Sequence, residues 1–362
     1  MKRYFPPRED WERRAPADAG FDEVRLATAI EYACENEIDW PIDAGKMVGR
    51  NDTPPYNEML GPTKPRGAAN GLVIRRGYLI AEWGEPARVD MTFSATKSYV
   101  STLVGLAKDR GMLGSMDELV RERIADGGFD SDHNSTITWR HLLQQTSEWQ
   151  GKLFDRPDVV DHNRSLVEAD GNEMKGVERE LQPPGSFWEY NDVRVNRAAL
   201  CALRIWGEPL PEVLRREVMD PIGASDEWEW HGYRNSWVDV DGEQMQSVSG
   251  GAHWGGGLWI SALDHGRFGY LILAGGEWDG RRLLSKDWID EATTPCDAND
   301  QYGYMWWLNT GQQLYEAPSS SFAAQGAGGN VVFIDREDDL VVVTRWSGDR
   351  VGVVNRIVAA LL

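Results

Sequence analysis

Leu72-Val-Ile-Arg-Arg-Gly-Tyr-Leu-Ile-Ala-Glu-Trp83, then Phe93-Ser94-Ala-Thr-Lys97-Ser-Tyr-Val100-Ser-Thr-Leu103-Val104-Gly-Leu-Ala107, is the stretch on which the fold turns. Its first part holds two β-rich runs around a turn at Gly77, the pattern of a β-hairpin. After Phe93 the period changes. Val100, Leu103, Val104 and Ala107 recur at i, i+3, i+4 and i+7, which predicts a helix buried along one face, with Gly111 at its end. Ser94 therefore stands at or just inside a helix start, directly after a hairpin.

Working outward, residues 1–65 read as an irregular extension around one helix, Phe21 to Glu37, and they pack on the core. Residues 115–245 read as mainly helical with long loops. Thr138 caps a helix beginning at Trp139, and Asn196–Trp206 and Pro211–Met219 are further helices. Residues 155–172 are polar and Asp-rich, and read as a surface excursion. Strand character returns at Asn330–Asp335 and at Leu340–Trp346, joined by the charged turn Arg336-Glu-Asp-Asp, and the chain closes on a helix over Val351–Leu362. The expected fold is an α/β sheet domain built from residues 66–114 plus 246–362, with residues 115–245 inserted as a helical domain.

Composition narrows the function. With 362 residues and a net charge of −20, the chain is a poor partner for nucleic acid or an anionic membrane. No apolar run is long enough to span a bilayer, and the start lacks an apolar leader, so a cytoplasmic protein is expected. Three cysteines, Cys34, Cys201 and Cys296, make no disulfide framework. Histidines show no ligand spacing and Asp130-Ser-Asp-His-Asn lacks the glycine and glutamate of a calcium loop, so no metal is assigned. No cofactor motif is found, because Gly326–Asn330 leads into a strand and carries no lysine. Tryptophans 228, 230, 237, 254, 259, 306 and 307 suit the wall of an apolar pocket, although core packing accounts for any one of them.

Ser94-Ala-Thr-Lys97 is the one S-x-x-K pair in the chain. Positions i and i+3 share a helix face, so an amine can reach the hydroxyl and take its proton, provided it is held neutral. Spacing alone does not separate this from a surface lysine on a core helix. Pro183-Pro-Gly-Ser-Phe-Trp-Glu-Tyr190-Asn-Asp192 presents a phenol that can relay a proton. Ala324-Gln-Gly326-Ala327-Gly328-Gly329-Asn330 offers backbone N–H groups. One near Gly328 or Gly329 can complete an oxyanion hole with the Ser94 N–H. His253 and Trp254, beside a glycine run, are further candidates for lining the pocket.

Phe93-Ser-Ala-Thr-Lys-Ser, His141-Leu-Leu-Gln-Gln-Thr-Ser147, Pro-Pro-Gly…Tyr190-Asn-Asp192 and Gly255-Gly-Gly-Leu-Trp-Ile-Ser-Ala-Leu-Asp264 together resemble the serine beta-lactamase-related family. That family holds class C beta-lactamases, penicillin-binding DD-peptidases, family VIII esterases and 6-aminohexanoate-dimer hydrolases, and the similarity runs from about residue 68 to 360. The resemblance implies an antiparallel sheet flanked by helices, with an inserted helical domain and an active site between them. It also implies an acyl-enzyme on Ser94, with Lys97 as base and Tyr190 as relay. Asp192 stands where the family has Asn, and could hold Lys97 or bind a substrate amine. The Lys-Thr-Gly or His-x-Gly motif falls on Gly326-Ala327-Gly328, where nothing basic remains, which turns the expectation from beta-lactams towards esters or small amides. A beta-lactamase or D-amino-acid peptidase is the alternative within the class. A non-catalytic ligand-binding sensor on the same scaffold is the alternative outside it.

Overall fold

A computed structural model describes residues 3–8, 10–166 and 172–362. Six strands form the main sheet, in the order Trp307–Leu308, Phe322–Gly326, Asn330–Asp335, Leu340–Arg345, Asn70–Arg75 and Tyr78–Trp83, with every neighbour antiparallel. The hairpin from the first half of the chain thus pairs with strands from its end. Leu72 lies opposite Val343, and Val73 opposite Val342.

Alternate side chains of these strands enter two different cores, which is why the strands read as continuous apolar runs. Leu72, Ile74, Val332, Ile334, Val341 and Val343 point to one face, where Phe268 and Leu271 of the helix Ala262–Leu273 cover them. Val73, Val331, Phe333, Leu340 and Val342 point to the other, covered by Leu26 and Ala29 of Glu23–Glu35 and by Val353, Val354 and Ile357 of Arg350–Val358. Asp22 caps the first of those helices by accepting from the Val24 and Arg25 N–H groups.

The expected helix after Phe93 runs over Thr96–Asp109, buried from Thr96 to Ala107. Thr138 caps Trp139–Leu143 in a capping box with His141, and Asn191 caps Asp192–Trp206. The stretch read as Pro211–Met219 is a shorter helix, Leu210–Leu214, that relaxes into a π turn.

The segment read as mainly helical also carries strands. Glu229–Val240 and Glu243–Val248 form a hairpin in a second, four-stranded sheet with Gly257–Ile260 and Asp90–Met91. The run from Trp230 to Val240 buries alternate residues only in part, so its period-2 signal is weak. This second sheet matters for the site, because Asp90–Met91 leads straight into Ser94. Buried Arg345 fixes that strand, donating to the Asp90 and Met91 carbonyls at 3.0 and 2.8 Å.

Candidate active site

Phe93 turns the chain with a φ of 50°, an unusual value for a residue other than glycine, and drops Ser94 into a short helical turn ahead of Thr96–Asp109. Thr96 Oγ1 closes the turn by donating to the Phe93 carbonyl at 2.6 Å. Lys97, one turn on, donates from Nζ to Ser94 Oγ at 2.8 Å. The same ammonium donates to Asp192 Oδ1 at 2.6 Å and lies 4.6 Å from the centre of the Tyr190 ring. Ser94, Lys97, Tyr190 and Asp192 are thus brought together, although the Tyr190 hydroxyl hydrogen-bonds neither Ser94 nor Lys97.

His141-Leu-Leu-Gln-Gln-Thr-Ser147 explains how Tyr190 and Asp192 are placed. Buried Gln145 accepts from the Asn191 N–H at 2.8 Å and donates to the Tyr302 hydroxyl at 2.9 Å. The Gln145 carbonyl also accepts from the Glu189 N–H at 3.1 Å. One buried amide side chain therefore fixes the backbone on which both residues stand.

Burial pulls the Lys97 pKa down, but the Asp192 carboxylate outweighs it and holds the lysine above its ordinary value. Asp192 is held well below the usual carboxylate range: burial opposes this, and the charges of Lys97, Arg164 and His253 overcome it. Asp192 thus draws Lys97 towards its ammonium form, where the sequence reading called for a neutral amine.

Asp192 is also the hub of a buried ionic cluster. Arg164 Nη1 reaches its Oδ2 at 2.5 Å, and the Asp192 N–H donates to Asp161 Oδ2 at 2.8 Å. Lys175 pairs with Asp161 at 3.1 Å and with Asp52. Asp52, from the N-terminal extension, also accepts from the Trp254 indole N–H at 2.9 Å. Despite its burial, the charges of His253 and Lys175 bring its pKa down to about 2. Asp52, Asp161 and His253 place three possible metal-ligand atoms within 4.8 Å of one another. The Lys175 ammonium contacts both carboxylates and supplies positive charge there.

Asp161, Arg164 and Lys175 belong to or adjoin the stretch read as a surface excursion. Asp158, Asp161 and His162 are in fact buried, Asp158 on the His162 ring and Asp161 between Lys175 and Arg164; residues 167–171 of that stretch lie outside the described residues. No pattern in the sequence marks these residues for burial, because isolated acids and bases usually read as solvated.

The late glycine turn divides. Gly326 ends its strand so close to Ser94 that a Cβ there would sit 3.2 Å from the Ser94 N and would strike the Thr92 carbonyl. A Cβ on Gly328 would instead meet Trp346 and the Asn330 amide, and one on Gly329 the Ser347 backbone. Ala327 is exposed at the tip. Asn330 is buried, donating to the Ala327 carbonyl at 2.6 Å and accepting from Arg345 at 2.9 Å, so its amide is committed to holding the turn. Gly251 went unnoticed in the sequence: a Cβ on it would strike both Asp192 Oδ1 and Lys97 Nζ.

Among the tryptophans, 228, 230, 254, 259 and 306 are buried in the core, and Trp237 is exposed on its hairpin. Trp307 is the one beside Tyr190, stacked on it at 5.7 Å between ring centres. Trp188, part of the Pro-Pro-Gly segment, stands edge-on to Trp307 at 6.1 Å. Both are half-buried, so they form an aromatic wall next to the Ser94–Lys97–Tyr190 group.

The Beta-lactamase family model matches residues 72–356. The chain belongs to that family. No curated protein sequence matches it. Among solved structures, a penicillin-binding protein homolog from Caulobacter crescentus is 16% identical with a TM-score of 0.60, covering 93% of this chain and 98% of its own. A family VIII carboxylesterase is also 16% identical, with a TM-score of 0.59 over 93% of this chain and 96% of its own. EstCE1, a hydrolase with promiscuous acyltransferase activity, is 14% identical with a TM-score of 0.60 over 92% and 98%. At these identities the likeness is one of fold. No helix among the described residues is long and apolar enough to cross a membrane.

Proposed function

We propose that the chain is a serine hydrolase that cleaves carboxylic esters or small amides through an acyl-enzyme on Ser94. The observation that carries this reading is the Lys97 Nζ–Ser94 Oγ hydrogen bond of 2.8 Å, made at the start of a buried helix. Ser94 attacks the substrate carbonyl as its proton passes to Lys97, with Tyr190 relaying it to the leaving group. The tetrahedral oxygen is met by the Ser94 N–H and by a backbone N–H of the strand end at Gly326, the glycine that lies against that amide. Water then attacks the acyl-enzyme carbonyl, Lys97 and Tyr190 taking its proton and passing it to Ser94 Oγ as the Oγ–acyl bond breaks and the acid leaves.

Because Asp192 keeps Lys97 protonated at rest, the base-competent neutral amine is the minor species near neutrality, and turnover rises with pH. The absence of a basic third motif, with Gly326-Ala327-Gly328 in its place, favours esters and neutral amides over substrates bearing a carboxylate. Asp192 is saturated by Lys97 and Arg164, so holding Lys97, rather than binding a substrate amine, is the role we assign it. The partner is then a small molecule, and the net charge of −20 supports a soluble site of action.

Turnover of p-nitrophenyl butyrate by wild-type protein and by Ser94→Ala, with circular dichroism to check the fold, tests this reading. Loss of turnover in a folded variant supports it. A folded Ser94→Ala with undiminished turnover sinks it. Nitrocefin hydrolysis outpacing ester hydrolysis would move the reading to a beta-lactamase.

A further inference from the structure

His253 stands between two carboxylates. Its Nε2 is 2.9 Å from Asp52 Oδ2, and its Nδ1 is 3.4 Å from Asp192 Oδ2. An ionised carboxylate only accepts, so the ring can hold both carboxylates only with an N–H on each nitrogen, as the imidazolium. The imidazole is 11% exposed and Asp52 is fully buried. If the ring turned away, buried Asp52 would keep the Trp254 indole and the Lys175 ammonium and lose the third of its donors, which weakens its hold inside the protein.

The line of contacts runs from Asp52 through His253 to Asp192, then to Lys97 and Ser94. Its first member comes from the N-terminal extension, which lies outside the region matched by the family model. Lys175 and Asp161 form a second route between the same ends, from Asp52 to the Asp192 backbone N–H.

We propose that Asp52 and His253 are positioning residues for the nucleophile: they fix the Asp192 carboxylate, and through it the Lys97 amine, against Ser94. This rests on the reading of Ser94 as the nucleophile. A carboxylate held only by Lys97 and Arg164, the latter partly exposed, would have freedom to tilt. A misplacement of about 1 Å at a reacting group is enough to slow chemistry by up to about a hundredfold. The Asp52 segment of the extension is then part of the active site, and disturbing Asp52 would impair catalysis before it impaired substrate binding.

The test is the rate at which a fluorophosphonate probe labels Ser94, in the full chain, for wild type, Asp52→Asn, His253→Gln and Asp52→Glu. Asp126→Asn serves as control, because it breaks a different ion pair, with Arg197 and Arg204. Asp52→Asn and His253→Gln should label at least about tenfold more slowly. Their kcat for p-nitrophenyl butyrate should fall in step while KM stays within about twofold. Asp52→Glu should recover part of the rate, and Asp126→Asn should label like wild type. Wild-type rates for Asp52→Asn and His253→Gln would overturn this inference alone, as would equal slowing in Asp126→Asn. If Asp52→Asn does not fold, His253→Gln decides by the same criteria. A wild-type protein that does not label would remove the nucleophile, and this inference with it.

Discussion

Lys97 and Asp192 meet at 2.6 Å across 95 residues of chain, and their ion pair sets the protonation of the amine that faces Ser94. Both side chains are almost fully buried. Asp192 raises the Lys97 pKa against burial and against Arg164, which both lower it.

Asp192→Asn removes the largest raising influence and leaves burial and Arg164 to lower the pKa, opposed only by Tyr190. The Lys97 pKa should therefore fall, and the acid limb of kcat/KM should move to lower pH. A profile of ester turnover from about pH 5 to about pH 10 reads this directly. A limb that stays in place or moves upward would show that Lys97 is not the group being titrated.

Two glycines close the site at the level of single atoms. Gly251→Ala would drive a methyl group into Lys97 and Asp192, and Gly326→Ala would press on the Ser94 amide and the Thr92 carbonyl. Each should cost about 1–3 kcal/mol of stability by overpacking, measured by urea unfolding. Each should also lower kcat by at least about tenfold, since the parts displaced are the reacting ones. Full activity in either variant would mean that the backbone there is free to yield.

The aromatic wall of Trp188 and Trp307 borders Tyr190. Trp307→Ala should raise KM for p-nitrophenyl hexanoate by about tenfold and change the acetate ester little, because a lost aromatic face removes about 1.5–3 kcal/mol of apolar contact. Steady-state kinetics on the two esters decides it. Equal losses on both would place the substrate elsewhere.

Glu148 is a structural counterpart to the Lys97–Asp192 ion pair. It is buried, accepts from Arg194 at 2.7 Å and from both terminal nitrogens of Arg179 at 2.6 and 2.7 Å. Glu148→Gln should destabilise the protein by about 3 kcal/mol at pH 7, because Glu189 alone is left to neutralise most of the charge of two arginines that now share two carboxylates. Burial pushes the Glu148 pKa up, but the arginines bring it below the ordinary value. Its contribution is therefore complete above the unfolded value of about 4.3 and is lost as pH falls through the folded one. Urea midpoints at neutral and acid pH should differ from wild type at the first and converge at the second.

Much of this was legible before any coordinates. Alternating and continuous apolar runs gave the hairpin and the closing strands, and the 3.6-residue period gave the helix behind Ser94. Spacing placed Lys97 one turn away, and the Pro-Pro-Gly turn pointed to Tyr190. The ionic cluster was hidden, because Asp52, Asp161, Arg164 and Lys175 lie far apart in sequence and each alone is an ordinary surface residue. Only their mutual neutralisation makes burial affordable, and that is a three-dimensional property. The glycine run was legible as a turn, yet which glycine meets Ser94 depends on strand register, and two or three residues of shift separate Gly326 from Gly328 and Gly329.

The central claim is a covalent bond between the acyl group and Ser94 Oγ. Intact-mass measurement after rapid quench, across esters, amides and beta-lactams, tests it most directly when paired with peptide mapping and the Ser94→Ala variant. The account predicts an acyl mass increment on the peptide containing Ser94, formed with an ester or small amide and missing from Ser94→Ala. Turnover with no increment at any quench time, or an increment that persists in Ser94→Ala, would contradict it.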